Sequence, residues 1–236
     1  MKKSHVFAVC LAVLCLCLWG CGGKKPDTLE LVEKKGKLVV ALSGESEGDM
    51  SRAWAESLER EVIESLGSRL GVEVLYEYME EGQGVQAVAE GRADIAAGAV
   101  ILEESGNTGY SITYGCRPVY IATVSGGVSF PGELVNSKVG FDPGVGQRVK
   151  NQLYSVAGLT IEDVDNADLA EASIGEGKIA GYICGEAEAR KLLSRGGLAV
   201  RDFSGIQRES YAFYAGEEQY RMLSELNRLL TEKLKD

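Results

Sequence analysis

The sequence is poor in the residues that carry most side-chain chemistry. Its 236 residues contain one histidine, together with two tryptophans and four prolines. His5 lies where the chain has the pattern of a leader, so the folded part offers neither a Ser-His or Cys-His nucleophile system nor a histidine-ligated metal site. Basic residues are also scarce, with 25 Lys and Arg against 35 Asp and Glu and a formal charge of −10. We expect no nucleic-acid partner, because phosphate neutralisation needs a basic face.

What remains is the composition of a folded α/β protein. Hydrophobic residues make up 45% of the chain and charged residues 25%, which excludes disordered, collagen-like and polytopic membrane classes. Apolar runs and helical periodicities alternate along the sequence, which favours parallel sheets. They predict strands at 37–43, 72–79, 93–101, 117–125, 138–142, 159–164, 179–184, 198–203 and 210–215, and helices at 52–70, 84–90, 145–157, 166–176, 186–194 and from Tyr220 onward.

The amino terminus has the pattern of an export signal. Two lysines precede an apolar stretch over residues 6–19, which is too short to span a bilayer comfortably but fits a signal peptide. Residues 18–21 (Leu-Trp-Gly-Cys) resemble a bacterial lipobox. We therefore expect a signal peptide at 1–20, lipidation (palmitate) at Cys21 and a tether over 21–27, which anchors the protein to a membrane of the cell envelope on its periplasmic or extracellular face. An ordinary secretory leader and an uncleaved anchor are the alternatives.

Two cysteines lie beyond this leader and tether. Cys116 and Cys184 would form a disulfide in an exported domain, or each would be a small buried hydrophobe within its apolar run. The chain has no CxxC motif, so neither a metal site nor a redox centre finds support, and we expect no cofactor.

A weak internal repeat runs through the chain. Residues 90–95 (EGRADI) follow a predicted helix and begin a strand, and residues 176–181 (EGKIAG) do the same later. Upstream of each copy lies another similar pair, at 36–40 and 137–141. Helix–Gly–strand connections recur in any α/β protein, but two pairs in the same order favour two similar lobes.

Several segments, in this order and spacing, resemble the type II periplasmic substrate-binding proteins that deliver amino acids to ABC importers (extracellular solute-binding family 3). They cover most of residues 28–236, namely 28–42 (TLELVEKKGKLVVAL), 85–98 (VQAVAEGRADIAAG), 115–122 (GCRPVYIA), 133–146 (ELVNSKVGFDPGVG), 172–186 and 222–234. The resemblance implies a periplasmic-binding-protein type II architecture, with lobe 1 at 28–116 and 205–236 and lobe 2 at 117–204. A ligand would lie in the central cleft, and the protein, a monomer, would present it to a membrane permease.

The cleft walls of such a protein are strand ends, because ligands of α/β sheets bind beyond the carboxyl ends of the strands. One wall would then contain Ser43 and Glu45 after the first strand and Gly98 and Val100 after the third. The other wall would contain residues Gly144, Val145, Gly146, Gln147 and Glu186.

Two of these wall segments have specific candidate roles. Residues 144–147 form either an anion site at a helix amino terminus or an ordinary glycine-rich turn. Glu186 either accepts a ligand ammonium group or complements the dipole of its own helix. Trp54 either stacks on a ligand or packs in the core.

The segment after the third strand departs from the resemblance. Amino-acid binders of this kind have an arginine there that holds the α-carboxylate, and residues 102–109 contain none. The aromatic residue expected after the first strand is also missing from the acidic segment 44–49. A cationic or hydroxyl-rich ligand, or loss of transport, then becomes an alternative to a standard amino acid.

Three functions follow from these observations. The first is a solute-binding lipoprotein of an ABC importer that captures a small polar ligand by closure of its lobes. The second is a ligand sensor or accessory protein with no transport role. The third is a carboxylate-dependent enzyme that uses Glu45, Glu103 or Glu186. The chain shows no paired catalytic signature, so we expect no enzyme.

Overall fold

The computed structural model describes residues 27–43, 49–103, 108–124 and 127–235. Helices α1 to α7 span Thr28–Lys35, Met50–Leu70, Gln83–Ala89, Gln147–Leu153, Ala167–Gly175, Glu186–Arg195 and Tyr220–Lys233. Strands β1 to β10 span Lys37–Ser43, Glu73–Met79, Ile95–Ala97, Gly115–Cys116, Tyr120–Thr123, Lys138–Phe141, Thr160–Asp163, Gly181–Cys184, Ala199–Asp202 and Ser210–Tyr211. Short 3-10 helices lie at Pro131–Leu134 and Pro143–Val145. This confirms the predicted mixed α/β architecture.

The first sheet has three parallel strands in the order β2-β1-β3. Strand β1 is buried from Leu38 to Ser43 because it is the central strand with helices on both faces. The apolar stripe of α2 and that of α7 pack against this sheet in one core. We call this body lobe 1.

The second sheet has five strands in the order β7-β6-β8-β5-β9 and forms the body that we call lobe 2. Strands β6, β7 and β8 are parallel, as predicted, but β5 runs antiparallel to both of its neighbours. The prediction of all-parallel sheets is therefore wrong at this strand. The chain enters lobe 2 through β5 and leaves it through β9 alongside, so adjacent strands carry it in opposite directions.

Strands β4 and β10 form a two-stranded antiparallel ribbon. The chain passes through it once on the way to lobe 2 and once on the way back. The ribbon pairs Cys116 with Ser210 and Gly115 with Tyr211. Both connections between the lobes leave from this ribbon, and Tyr211 packs into the core of lobe 1. The predicted boundaries of lobe 1 at 28–116 and 205–236 and of lobe 2 at 117–204 stay a prediction.

The sequence repeat corresponds to two turns with nearly identical backbones. Glu90 ends α3 at φ −82° and ψ −5°, and Glu176 ends α5 at φ −82° and ψ −4°. Each is followed by a glycine in the left-handed region, Gly91 at φ +73° and Gly177 at φ +70°. The repeat in the sequence therefore marks one helix–turn–strand unit that is present once in each lobe.

Candidate binding site between the lobes

A cavity of about 390 Å³ lies between the two lobes. Its walls come from the first turn and a half of α2, from the ribbon and from α6. The lining residues are Met50, Ser51, Trp54, Gly115, Cys116, Glu186, Arg190 and Tyr211. Trp54 is 51% exposed, so it is not the core residue that its helical spacing allowed. Gly115 leaves room between the rings of Trp54 and Tyr211, which a Cβ there would approach to 3.3 and 3.2 Å.

Glu186 joins the lobes at one side of this cavity. Its Oε2 accepts hydrogen bonds from the Ser51 amide at 2.9 Å and from the Ser51 hydroxyl at 2.7 Å. Its Oε1 pairs with Arg190 on the next turn of α6 at 2.9 Å. Burial alone would raise the pKa of Glu186, but the bonds from Ser51 and Arg190 lower it. The carboxylate of lobe 2 thus stabilises the amino terminus of a lobe 1 helix.

Asp49 is the second acid at this junction. It caps α2, and its Oδ1 accepts a hydrogen bond from the Arg52 amide at 2.8 Å. Burial raises the pKa of Asp49, and the negative charge of Glu186 raises it further. The two carboxylates therefore form an acidic pair at the boundary between the lobes.

The hydroxyl of Tyr211 is a buried polar group without a partner. The residue is 1% exposed, and its hydroxyl makes no hydrogen bond of good geometry within the described part of the chain. Burial, followed by the negative charge of Asp49, raises the pKa of Tyr211 to about 12. Arg117 acts in the opposite direction. Since the hydroxyl is buried, it is the ring of Tyr211 that faces Gly115 in the cavity lining.

A line of alternating charges runs behind the cavity. Arg52 of α2 contacts Glu81 at 3.3 Å, and Glu81 contacts Arg117 at 2.6 Å. Arg117 also contacts Glu209 at 3.2 Å and the carbonyl oxygen of Gly144 at 3.1 Å. Arg117 is thus the group through which lobe 1, the ribbon and the 144–147 turn meet.

The predicted anion site at 144–147 is a turn whose amides have partners within the chain. The Gly144 amide donates to Asp142 Oδ1 at 2.8 Å, the Val145 amide to the Asp142 carbonyl and the Gly146 amide to the Pro143 carbonyl. Gln147, at the start of α4, uses its side chain to bond Asn151 at 2.8 Å. The amides of residues 144, 145 and 146 are therefore used within the chain, and ligand binding at 144–147 stays a prediction.

The carboxylate of Glu209 lies against this turn. Gly146 has φ +103°, and a Cβ at this position would lie 2.7 Å from Cδ of Glu209. Glu209 is 8% exposed. Burial raises its pKa, although Arg117 and Arg148 act against the increase. Glycine is needed at 146 both for its backbone conformation and for the approach of this carboxylate.

The lobe 1 residues predicted for the cleft come together in a separate cavity of about 370 Å³. Ser43, Gly98 and Val100 line it, with Glu81 and Glu103 on the same wall. It lies at the carboxyl ends of β1 and β3, as predicted, and Glu81 connects it to the charged line behind the interlobe cavity. Their roles in ligand binding stay predictions.

Glu59 holds the Gly98 turn in place. Its carboxylate accepts hydrogen bonds from the Gly98 amide at 2.7 Å and the Ala99 amide at 2.9 Å. The Tyr114 hydroxyl donates a third bond to it. Glu59 is fully buried, and burial raises its pKa. These amides are therefore already satisfied by the chain itself.

A larger cavity of about 960 Å³ lies elsewhere on lobe 1. Its lining comes from α1, from the region of α3 and the turn after it, and from residues 214–219, all outside the second lobe. Size alone would favour it as a binding site. It receives no residue from lobe 2 and none of the predicted site residues, so we assign the candidate site to the interlobe cavity.

The two cysteines are free thiols, so the disulfide alternative is wrong. Cys184 is fully buried in β8 within the lobe 2 core, and burial raises the pKa of its thiol. Cys116 is in the ribbon and lines the interlobe cavity. The small buried hydrophobe expected from the apolar run is correct for Cys184 only.

Two predicted features lie outside the described residues. Cys21 with the leader, and Glu45, lie outside the described ranges. Within residues 27–43, 49–103, 108–124 and 127–235, no group of three or more His, Cys, Asp or Glu side chains is arranged to hold a metal ion. No helix in those same ranges is long and apolar enough to cross a membrane.

Sequence reasoning missed most of the contacts of this site. Arg117, Arg190 and Glu209 carried no motif, because their partners are distant in the sequence or become close only at the lobe boundary. Glu59 did carry a signal: it is four residues after Ala55 and four before Ile63, on the buried face of α2. An acid in that position indicates a carboxylate with dedicated partners.

The two-lobed arrangement defines a class of fold. No protein-family model and no curated protein sequence matches the chain. Solved structures do match, and they show that the fold is that of the type II periplasmic binding proteins, represented by amino-acid solute-binding proteins.

Three such structures illustrate the likeness. AbpA, an amino acid ABC transporter substrate-binding protein from Streptococcus pneumoniae bound to L-arginine, is 21% identical, with a TM-score of 0.56 over 87% of this chain and 92% of that one. Holo ArgBP from T. maritima is 18% identical, with a TM-score of 0.55 over 86% and 93%. The ancestral cationic amino acid solute-binding protein AncCDT-1 is 16% identical, with a TM-score of 0.60 over 89% and 94%.

Proposed function

We propose that this protein is a solute-binding protein that captures a small polar molecule, an amino acid or a related compound, between its lobes. The observation that carries the proposal is the interlobe cavity, to which α2 of lobe 1 and α6 of lobe 2 both contribute. Its volume of about 390 Å³ is within the size range of small-molecule sites. The similar structures AbpA and ArgBP support the same class of ligand.

The proposed mechanism is a change in the angle between the lobes. Ser51 and Glu186 come from opposite lobes and contact each other directly beside the cavity. A ligand that contacts Trp54 of α2 on one side and α6 on the other would favour the arrangement in which these walls are close. No covalent chemistry is required.

We further propose that the protein serves an ABC importer at a membrane. The protein would be exported, anchored through a lipid on Cys21, and would deliver its ligand to the permease of that importer. The similar structure AbpA is the substrate-binding protein of an amino acid ABC transporter, which supports this role. A sensor or accessory protein would bind ligand equally well, so uptake of the labelled ligand by cells lacking the gene separates the two. Unchanged uptake would favour the sensor.

An enzyme on this fold has less support. One matching structure is described as a precursor of cyclohexadienyl dehydratase, so the fold is compatible with catalysis. A general acid needs a raised pKa, but the pKa of the candidate Glu186 is lowered and its oxygens are already bonded to Ser51 and Arg190. Binding is the function that this geometry supports.

The test of ligand capture is thermal unfolding of the full-length chain in detergent with a panel of amino acids, amines and sugars. A ligand at 100 times its dissociation constant should add about 2.7 kcal/mol to the free energy of unfolding. Trp54→Ala should abolish the shift. Tyr220→Ala, which removes an aromatic side chain that is 65% exposed and far from the cavity lining, should retain it. A panel without any shift would contradict the proposal.

A further inference from the structure

A carboxylate of the protein lies against the turn to which the sequence assigns a ligand carboxylate. Glu209 lies against Gly146, where a Cβ would approach its Cδ to 2.7 Å. Arg117 holds it in place at 3.2 Å. Glu209 is almost fully buried. A second carboxylate brought to this turn would therefore meet a like charge in a poorly solvated place.

The 144–147 turn is connected by hydrogen bonds to residues that adjoin the lining of the interlobe cavity. Cys116 lines the cavity, and the next residue, Arg117, holds Glu209 through its side chain and bonds the Glu209 carbonyl through its amide at 2.8 Å. On the other side, Glu186 lines the cavity, and the preceding Gly185 donates its amide to Asp142 at 3.2 Å. Asp142 is also the acceptor of the Gly144 amide. Glu209 is thus bonded to Arg117, the residue that follows Cys116 of the cavity lining.

The cavity itself offers what an organic cation binds. The half-exposed ring of Trp54 is an aromatic face of the kind that attracts ammonium and guanidinium groups. Asp49 and Glu186 form the acidic pair beside it. The ring of Tyr211 lines the same cavity.

The guanidinium groups near the cavity are already engaged by acids. Arg117 contacts Glu81 and Glu209, and Arg190 contacts Glu186. A ligand carboxylate would have to compete with these partners. This differs from a site built for an amino acid, in which a guanidinium group is directed at the ligand.

We propose that the interlobe cavity binds an organic cation that lacks a carboxylate, an amine or a guanidine, and that Glu209 is the residue that excludes the carboxylate. The proposal rests on the binding function proposed above and names the class of its ligand. Trp54 contacts the cation through its ring.

The test compares two probes that differ by one group. L-Arginine and agmatine share the guanidinium and the carbon chain, and agmatine lacks the carboxylate. Isothermal titration calorimetry of the full-length chain in detergent should show agmatine binding at least about tenfold more tightly, because a like charge beside the ligand carboxylate is costly. Trp54→Leu should weaken agmatine binding about tenfold through loss of the aromatic face.

Two matched variants assign the selectivity to Glu209. Glu209→Gln removes the charge while keeping the shape, so arginine binding should strengthen and the agmatine preference should fall to about twofold or less. Glu81→Gln is the control: Glu81 contacts the same Arg117, but its side chain is 58% exposed and it is not among the groups that approach Gly146. The preference for agmatine should persist in this control.

The outcomes separate this inference from the binding function. If the wild-type chain binds arginine as tightly as agmatine or more tightly, the inference is wrong and the binding function stands. If Glu81→Gln changes the preference as much as Glu209→Gln, the assignment to Glu209 is wrong. If neither probe binds, the result counts against the inference and the proposed function together, and the ligand panel then decides the latter.

Discussion

Each lobe has a glycine turn at the carboxyl end of a strand, with a buried glutamate against it. The two turns differ in the hydrogen-bond donors that this glutamate has. In lobe 1, the Gly98 turn after β3 is held by Glu59, whose carboxylate accepts bonds from two amides and from Tyr114. In lobe 2, the Gly146 turn after β6 has Glu209 against it, and this carboxylate is paired with Arg117. Glu59 thus accepts hydrogen bonds from the turn beside it, whereas Glu209 lies against a turn whose amides donate to other groups.

This difference indicates different roles for two buried glutamates. A carboxylate with three donors in the core of one lobe is part of the folded framework, because removing it leaves buried donors unsatisfied. A carboxylate that lies at the lobe boundary beside Arg117 and Arg148 accepts, among the described residues, no amide bond from the turn next to it, and its charge acts on the groups that lie nearby. We therefore expect Glu59 to determine stability and Glu209 to determine selectivity.

The largest expected effect is loss of stability in Glu59→Ala. Two buried amides and a hydroxyl lose their acceptor, which should lower the free energy of unfolding by about 3 kcal/mol or more. Glu209→Ala should cost about 1–2 kcal/mol, since Arg117 retains Glu81 and the Gly144 carbonyl. Urea unfolding followed by circular dichroism measures both.

The control for this pair of variants is Glu61→Ala. Glu61 is in the same helix as Glu59, but its side chain is 57% exposed and contacts Lys233. Its loss should cost about 0–1 kcal/mol. Equal losses in Glu59→Ala and Glu209→Ala would show that the two acids do not differ in role.

The next largest loss of stability is expected when Gly98 or Gly146 is replaced by alanine. Gly98 has φ +92°, and a Cβ there would lie 2.6 Å from the backbone nitrogen of Ser43, which cannot move without shifting β1. A Cβ at Gly146 would instead meet the end of the Glu209 side chain. Both alanine variants are strained by about 1–3 kcal/mol through their backbone, so Gly98→Ala should lose more stability than Gly146→Ala.

The double variant Gly146→Ala/Glu209→Ala tests the contact directly. If the clash is with the carboxylate, the double variant should lose less stability than the sum of the two single variants, by about 0.5 kcal/mol or more. Additive losses would show that only the backbone of Gly146 is strained. Thermal unfolding of the four proteins supplies this comparison.

The two turns also show how far the sequence could predict this molecule. Periodicity predicted β1 and α2 well, because the hydrophobic face of an element is a local property. Strand β3 is only Ile95–Ala97, shorter than the predicted 93–101, since the chain turns at Gly98 and its amide bonds Glu59 instead of a strand neighbour. The length of a strand cannot be predicted from the local hydrophobic pattern when a side chain distant in the sequence determines where the strand ends.

Of the residues predicted for the cleft walls, Glu186 lines the interlobe cavity, whereas Ser43, Gly98 and Val100 line the separate cavity of lobe 1. The topology of a parallel sheet brings strand ends to one edge, so the local pattern could group these residues, and their roles in binding stay predictions. The approach of Glu209 to Gly146 joins the end of the ribbon to a turn of lobe 2, and the pairing of Ser51 with Glu186 depends on how the lobes meet. No local motif predicts either contact.

The smallest expected effect is on the pH dependence of stability. Burial raises the pKa of both Glu59 and Glu209 above the ordinary value of 4.5. Each group then takes up its proton at a higher pH in the folded protein than in the unfolded chain, so protonation favours folding. The stability of the wild-type chain relative to Glu209→Gln should therefore rise as the pH falls from 7.5 toward about 4.5.

Measurements above pH 4.5 separate this effect from the effect of acids whose pKa is lowered. The pKa values of Glu81 and Glu186 are lowered, so their contributions are present above 4.5 and are lost only below it. The same measurement on Glu59→Gln should give a change of the same sign and larger size, because Glu59 is completely buried. A wild-type chain that instead loses stability relative to Glu209→Gln over this range would show that the pairing with Arg117 outweighs burial. Glu209 would then be as firmly satisfied as Glu59, and the contrast between the two turns would disappear.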